Sequence, residues 1–229
     1  KSLNLKLSMD LSFLELMELL EKQLNNNFIL RNKEKEILEM SVIAALKKCE
    51  ICFAKQNNKY YVGEHGVCFN PFHSGQYTIF LYYVSNILYL KYKNENLASR
   101  VYYLNKMLNG VDLFYAIELP NIFGVEHPVG AVMGRAKYSN YFWFYQHTTV
   151  GGNKGKYPEI GEKVILFTNA TIIGNSKIGS NCLISANSYI KDECVPDNTI
   201  VYGASPNLIL KENRIDIINL AIEKVFKCN

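Results

Sequence analysis

The sequence predicts an α+β chain: a helical N-terminal domain, then a parallel β-solenoid, then a closing helix. Two periodicities carry that expectation. Up to about residue 109 the apolar residues recur at helical spacing. From Ile160 the chain instead repeats in sixes, reading IGEKVI, LFTNAT, IIGNSK, IGSNCL, ISANSY and IKDECV. The first position is always a large aliphatic (Ile160, Leu166, Ile172, Ile178, Ile184, Ile190), and the fifth is small (Val164, Ala170, Ser176, Cys182, Ser188, Cys194). A helix with 3.6 residues per turn cannot hold a strict period of six on one face, and alternating strands need no small residue at every sixth place. A triangular solenoid satisfies both: each unit is a strand plus a corner, three units make a coil, and coils stack about 4.8 Å apart over a continuous core.

The elements follow in order. Domain boundaries fall at 1–110 for the helical part, 111–211 for the solenoid and 212–229 for the closing helix. Ser12 and Glu15 stand in capping-box relation ahead of Leu14, Met17, Leu20 and Leu24, and Asn25-Asn26-Asn27 ends that helix. A second helix is expected from Lys33 to about Cys52, with Ile37, Met40, Ile43, Ala44 and Leu46 on its apolar face. NPFHSG (70–75) breaks the chain, and two further apolar helices run to NGVD (109–112). Upstream of Ile160 the sixfold period is looser. Leu113, Leu119 and Val125 keep step, one residue slips, and Val132, Tyr138, Phe144 and Val150 resume it. GGNKGKYPE (151–159) is polar and glycine-rich, a loop pushed out of the solenoid. IDIINLAIEKVF (215–226) has the apolar spacing of a packing helix.

Composition narrows the function. With 229 residues, 48% apolar and 20% charged, the chain has the balance of a soluble globular protein. Its net charge of +4 is not gathered into a Lys/Arg block, which argues against nucleic acid as partner. The most apolar run, IFLYYVSNILYL (79–90), is too short to span a bilayer and contains Ser85 and Asn86. No signal peptide is visible, although the chain opens on Lys1 rather than Met, which leaves room for a preceding piece. Cys49 and Cys52 form a lone C-x-x-C inside a helical pattern with no second pair at zinc spacing, so buried structural thiols are expected and no metal. The cysteine usage fits a reduced, cytoplasmic protein.

One stretch raises a sharper question. GVEHPVGAVMG (124–134) sets His127 among apolar residues and glycines, as a core residue or as the base of an active site. The repeats resemble the hexapeptide-repeat acyltransferases, whose left-handed parallel β-helix binds acetyl-CoA. Within them VDLFYAIELPNIFGVEHPVGAVMG (111–134), QHTTVGG (146–152) and YGASPNLILK (202–211) resemble serine acetyltransferase, with a weaker likeness at FHSGQ (72–76) and LASRVYYLNKMLNGVD (97–112). The likeness covers roughly the last 120 residues well by the repeat criterion. It implies that His127 is the general base and that Asp112, fifteen residues earlier, orients it. An alcohol needs a base that takes its proton as the bond to the thioester forms, and a carboxylate on the far nitrogen of an imidazole holds the right tautomer. It also implies that Gly152, Thr168 and Ala186 line the pantetheine arm, with Lys154 and Lys156 in reach of the phosphates, and that the protein is a homotrimer or a pair of trimers.

The departures bear on the acceptor. Serine acetyltransferases carry Arg-His before the loop proline; here Lys156-Tyr157 precedes Pro158, and the loop is shorter. Glu126 replaces the usual aspartate beside the base, and His147 stands where a small residue is common, twenty residues after His127 and thus on the next coil. Tyr138 and Tyr141 lead into Phe142, Trp143, Phe144 and Tyr145, flat faces that suit a sugar ring if they are not spent on packing. Glu126, His147, Lys156 and Tyr157 are the candidate acceptor-binding residues. His73 is expected to anchor a helix start, and His65 lies in a loop. The expected activity is therefore acetyl transfer from acetyl-CoA to a hydroxyl. A sugar or surface-polysaccharide precursor ranks above L-serine, an amine acceptor is a further variant, and a non-catalytic binding solenoid is the alternative from another class. The terminal isoleucine that docks serine acetyltransferases on cysteine synthase is absent at Asn229, so that partner is not expected.

Overall fold

The computed structural model describes residues 6–64 and 66–227; His65 and Cys228 lie outside the described residues. Helix α1 (Phe13–Asn27) starts at the expected cap: Ser12 Oγ accepts from Glu15 N–H, and the Glu15 carboxylate accepts from Ser12 N–H. It buries Leu16, Met17, Leu20 and Leu24, whereas Leu14 points outward at 78% exposure. Helix α2 (Lys35–Ala54) follows a 3-10 turn, Asn32–Glu34, and buries Leu38, Val42, Ala45, Leu46, Cys49, Cys52 and Phe53. Its apolar face is therefore turned from the expected one: Met40 is exposed, and Ile37, Ile43 and Ala44 are half-buried. A helix with apolar residues around most of its girth leaves the choice of face to its neighbours.

Helix α3 (Ser74–Leu90) is buried on every side from Gly75 to Leu88 and forms the axis of the helical part. Helix α4 (Glu95–Asn109) packs along it and stops at Gly110, which takes the left-handed conformation (φ 64°) that glycine supplies cheaply. The helical reading missed a three-stranded sheet of Leu7–Met9, Gly66–Phe69 and Val62–Gly63. Strands of two to four residues are too short for alternation to show.

The chain then winds into a left-handed parallel β-helix of about five turns. Its first face stacks Phe123–Val125, Phe142–Phe144, Val164–Leu166, Cys182–Ile184 and Thr199–Tyr202, and the antiparallel strand Ile209–Glu212 closes it. The second face stacks Asp112–Leu113, Val132–Met133, Thr149–Gly151, Thr171–Ile173 and Tyr189–Lys191. The third stacks Lys137–Tyr138, Glu159–Ile160, Lys177–Ile178 and Cys194–Val195. The sixth-place aliphatics meet their own kind one coil on: Ile160 with Ile178, Leu166 with Ile184, Ile172 with Ile190, all buried.

Two register details differ from the expectation. Met133, not Val132, pairs inward with Leu113 and Val150, because the corner after Val125 is longer than the others. Cys194 is exposed, because the coil is one residue short there and Val195 pairs with Ile178. Residues 152–158 form the extruded loop, closed by reciprocal backbone hydrogen bonds between Asn153 and Lys156.

Helix α5 (Ile215–Val225) lies on the first face, where Ile218, Ile222, Val225 and Phe226 cover Trp143, Ile165, Leu183 and Ile200. The helical part and the solenoid share one core. Gln56 Nε2 and Cys52 Sγ both donate to the Phe123 carbonyl, and the Tyr82 hydroxyl donates to that of Ile117. Gly75 lets the first turn of α3 approach the strand at Val125; a Cβ there would lie 2.9 Å from the Val125 carbonyl oxygen.

Candidate active site

The helical part meets the first coils in a cleft of about 400 Å³ lined by Tyr60, Tyr61, His73, Ser74 and Gly75 on one side and by Val125, Glu126, His127 and Trp143 on the other. His127 opens the long corner after the strand Phe123–Val125. It is exposed and holds a left-handed backbone conformation (φ 53°). A non-glycine residue there is unusual and directs attention to the side chain it presents. His127 is thus neither a core histidine nor enclosed by its apolar neighbours.

The same corner carries three more of the expected residues, coil upon coil. His147 (φ 57°) donates its backbone N–H to Val129, Asn169 donates to Gln146, and Asn187 donates to Thr168. By the strand register His127, Gln146, Thr168 and Ala186 stand in one column along the edge between the first and second faces, and His147 lies one position further on, in line with Asn169 and Asn187. Gly130 must be glycine, because any Cβ would fall inside the His147 ring. His147 therefore packs on its own corner and does not line the cleft.

Gly152, Lys154, Lys156 and Tyr157 are not brought to that column. They sit in the loop between the second and third faces, the two lysines exposed and the Tyr157 ring packed against Gly152, where a Cβ would come within 2.6 Å of it.

Asp112 does not pair with His127 within the chain. Its two oxygens accept from the Tyr102 hydroxyl at 2.8 Å and the Lys106 ammonium at 2.7 Å, both on α4. The helix that ends at Gly110 runs back beside the strand Asp112–Leu113 and takes up the carboxylate. Lys106 gains from this, its pKa rising through the hydrogen bond to Asp112.

Glu126 lies half-buried beside His127. Burial raises the pKa of Tyr145, and the negative charge of Glu126 adds to it. His73 caps α3, its Nδ1 accepting from Gln76 N–H. Burial lowers its pKa; Glu126 opposes and His127 adds to the lowering. With Nδ1 accepting, neutral His73 carries its proton on Nε2. The helix-anchoring role was legible in FHSGQ, whereas the place of His73 in the cleft was not. Nor did the sequence single out Tyr61, which lies outside every repeat; Trp143 entered only within the aromatic run, read as interface packing or as a platform for a sugar ring.

The structure closes that platform. Phe142 and Phe144 are buried inside the solenoid, Trp143 is buried beneath Phe226 of the C-terminal segment, and Tyr145 stacks on Phe167 at 5.6 Å. The aromatic argument for a sugar ring falls with it. Cys49 and Cys52 are fully buried, their pKa values raised by burial, which makes them inert thiols. Among the described residues there is no metal-binding group of His, Cys, Asp or Glu, and no helix is long and apolar enough to cross a membrane.

Comparison with known proteins agrees with this architecture. The bacterial transferase hexapeptide family (six repeats) matches residues 157–192. Serine acetyltransferase of Staphylococcus epidermidis is 28% identical over 147 residues, covering 62% of this chain and 68% of that one. The crystal structure of Neisseria gonorrhoeae serine acetyltransferase superposes with a TM-score of 0.63 at 24% identity, over 81% of this chain and 74% of that one. Serine acetyltransferase from Brucella abortus in complex with coenzyme A does so with a TM-score of 0.54 at 22% identity, over 62% and 57%. The chain thus resembles serine acetyltransferase and carries the solenoid of the hexapeptide-repeat acyltransferases.

Proposed function

We propose that this chain is an acetyl-CoA-dependent O-acetyltransferase with L-serine as its acceptor. One observation carries the reading: His127 stands at the end of a corner column with Thr168 and Ala186 and, at the same point, faces a cleft holding Glu126. A long thioester laid along that column would present its carbonyl to the base, and a small amino acid fits the cleft, where Glu126 matches its ammonium. The relatives with serine as their named substrate support this acceptor over a sugar, and the burial of the aromatic run removes the main ground for the sugar reading.

In this mechanism His127 takes the proton of the acceptor hydroxyl while the oxygen attacks the thioester carbonyl. The carbon–sulfur bond then breaks, and His127 returns the proton to the departing thiolate, leaving O-acetylserine and free coenzyme A. Positioning both substrates in one site supplies much of the rate. Asp112 has no part in orienting His127 within one chain. Lys154, Lys156 and Tyr157 sit on a different corner, so any contact they make with the substrates comes from a neighbouring copy, as a trimer would arrange. Coenzyme A release from acetyl-CoA, read with a thiol reagent, tests the reading. Saturable, His127-dependent release with L-serine supports it, and release with sugars but not with serine would overturn it.

A further inference from the structure

Two polar groups at the cleft have no partner. Tyr61 and Trp143 are each 1% exposed; among the described residues the Tyr61 hydroxyl has no hydrogen-bond partner, and the Trp143 Nε1–H has only the Tyr145 hydroxyl near it, outside good hydrogen-bond geometry. Buried donors are normally paired, so two unpaired ones lining the same cleft point to an acceptor atom supplied from outside. The first turn of α3 opens into the same space. His73 takes the N–H groups of Gln76 and Tyr77, while those of Ser74 and Gly75 make no hydrogen bond among the described residues. At seventeen residues α3 has a full macrodipole, whose positive end lies here. Among the described residues no lysine or arginine lines the cleft.

We infer that the first turn of α3, with the Tyr61 hydroxyl and Trp143 Nε1–H, forms the dock for the carboxylate of an amino-acid acceptor. This rests on the serine reading and extends it to specificity. The carboxylate is met by neutral donors and a helix end (the arrangement that binds anions elsewhere) while Glu126, across the cleft, faces the ammonium. Gly75 keeps the turn open, since a Cβ would stand 3.0 Å from the Tyr61 hydroxyl. The zwitterion is thereby held at both ends, with its hydroxyl left for His127.

Trp143 is the only tryptophan in the chain, so its fluorescence reports on the dock. L-serine and serinol, in which a neutral hydroxymethyl group replaces the carboxylate, are titrated by fluorescence and by calorimetry. L-serine should bind saturably and serinol at least about tenfold more weakly, the worth of a hydrogen bond to a charged group. Tyr61→Phe should weaken L-serine about tenfold and leave serinol unchanged. It should also raise the Tm of the free protein by about 2–4 °C, because an unpaired buried hydroxyl is removed. Equal binding of the two ligands, wild-type L-serine affinity in Tyr61→Phe, or no L-serine binding by calorimetry overturns the dock. Coenzyme A release in the same samples separates the two readings. Serine bound without release sinks the acceptor assignment alone, and release independent of Tyr61 sinks the dock alone.

Discussion

The coils built from residues 160–201 and those built from residues 112–151 share one core and one set of faces, yet they are made differently. In the later coils the inward residues are Ile and Leu at a fixed interval, and asparagines take most of the left-handed corner positions: Asn169, Asn181, Asn187 and Asn198. Asn169 and Asn187 also bond side chain to side chain at 2.8 Å, a ladder that any number of coils could continue. In the earlier coils the interior is aromatic, with Tyr138, Phe142 and Phe144, and the left-handed residues are His127, Tyr141 and His147. Asparagine tolerates that conformation through its short polar side chain, histidine less readily, and a bulky tyrosine has no such advantage. The contrast teaches that the repeat reports packing, and that the candidate site lies where the repeat is bent around a side chain.

Substitutions should therefore act differently in the two regions. The largest effect is expected at the irregular corner: His127→Ala should lower turnover with L-serine by roughly 10²–10⁴-fold, with the fold and acetyl-CoA affinity kept. Steady-state kinetics beside a binding isotherm check it, and unchanged turnover would remove the base assignment. In the regular coils Ile172→Ala should cost about 2–5 kcal/mol of stability and leave kcat unchanged in the protein that remains folded. Denaturant unfolding measures this; a loss of kcat without a loss of stability would erase the contrast. Gly124→Ala is intermediate. Its methyl group would enter the Trp143 ring and should cost about 1–3 kcal/mol while also disturbing the cleft, so stability and KM for serine should shift together.

The smallest expected effect is one of pH. Burial holds His73 below its ordinary value of 6.5, so between that value and the lower folded one the unfolded chain binds a proton that the folded chain refuses. Stability is then flat above 6.5 and falls as pH drops through that window, with loss of the Nδ1 cap on α3. Thermal melts from pH 7.5 downward should show this decline in the wild type, and less of it in His73→Asn, which keeps a capping oxygen.

Much of the fold was legible because its causes are local. A capping box at Ser12, a stop at Gly110 and an aliphatic at each sixth position act over a few residues, and the spacing records them directly. Leu14 and Met40 show where that ends: the chain announces a helix, but the neighbours decide which apolar face is buried. Of the candidate site, the sequence set Glu126 next to His127, the resemblance named Thr168 and Ala186, and the spacing put His147 on the next coil.

What the sequence by itself determined is the sixfold solenoid, the helices before and after it, and the place of His127 next to Glu126. Only the tertiary structure decided that Asp112 serves Tyr102 and Lys106, that the aromatic run is spent on packing, and that Tyr61, Trp143 and the start of α3 face one cleft. The reason is distance along the chain. Periodicity repeats a short-range rule, whereas the cleft joins residues 61, 73, 126 and 143, whose meeting depends on how the buried helix docks against the first coil.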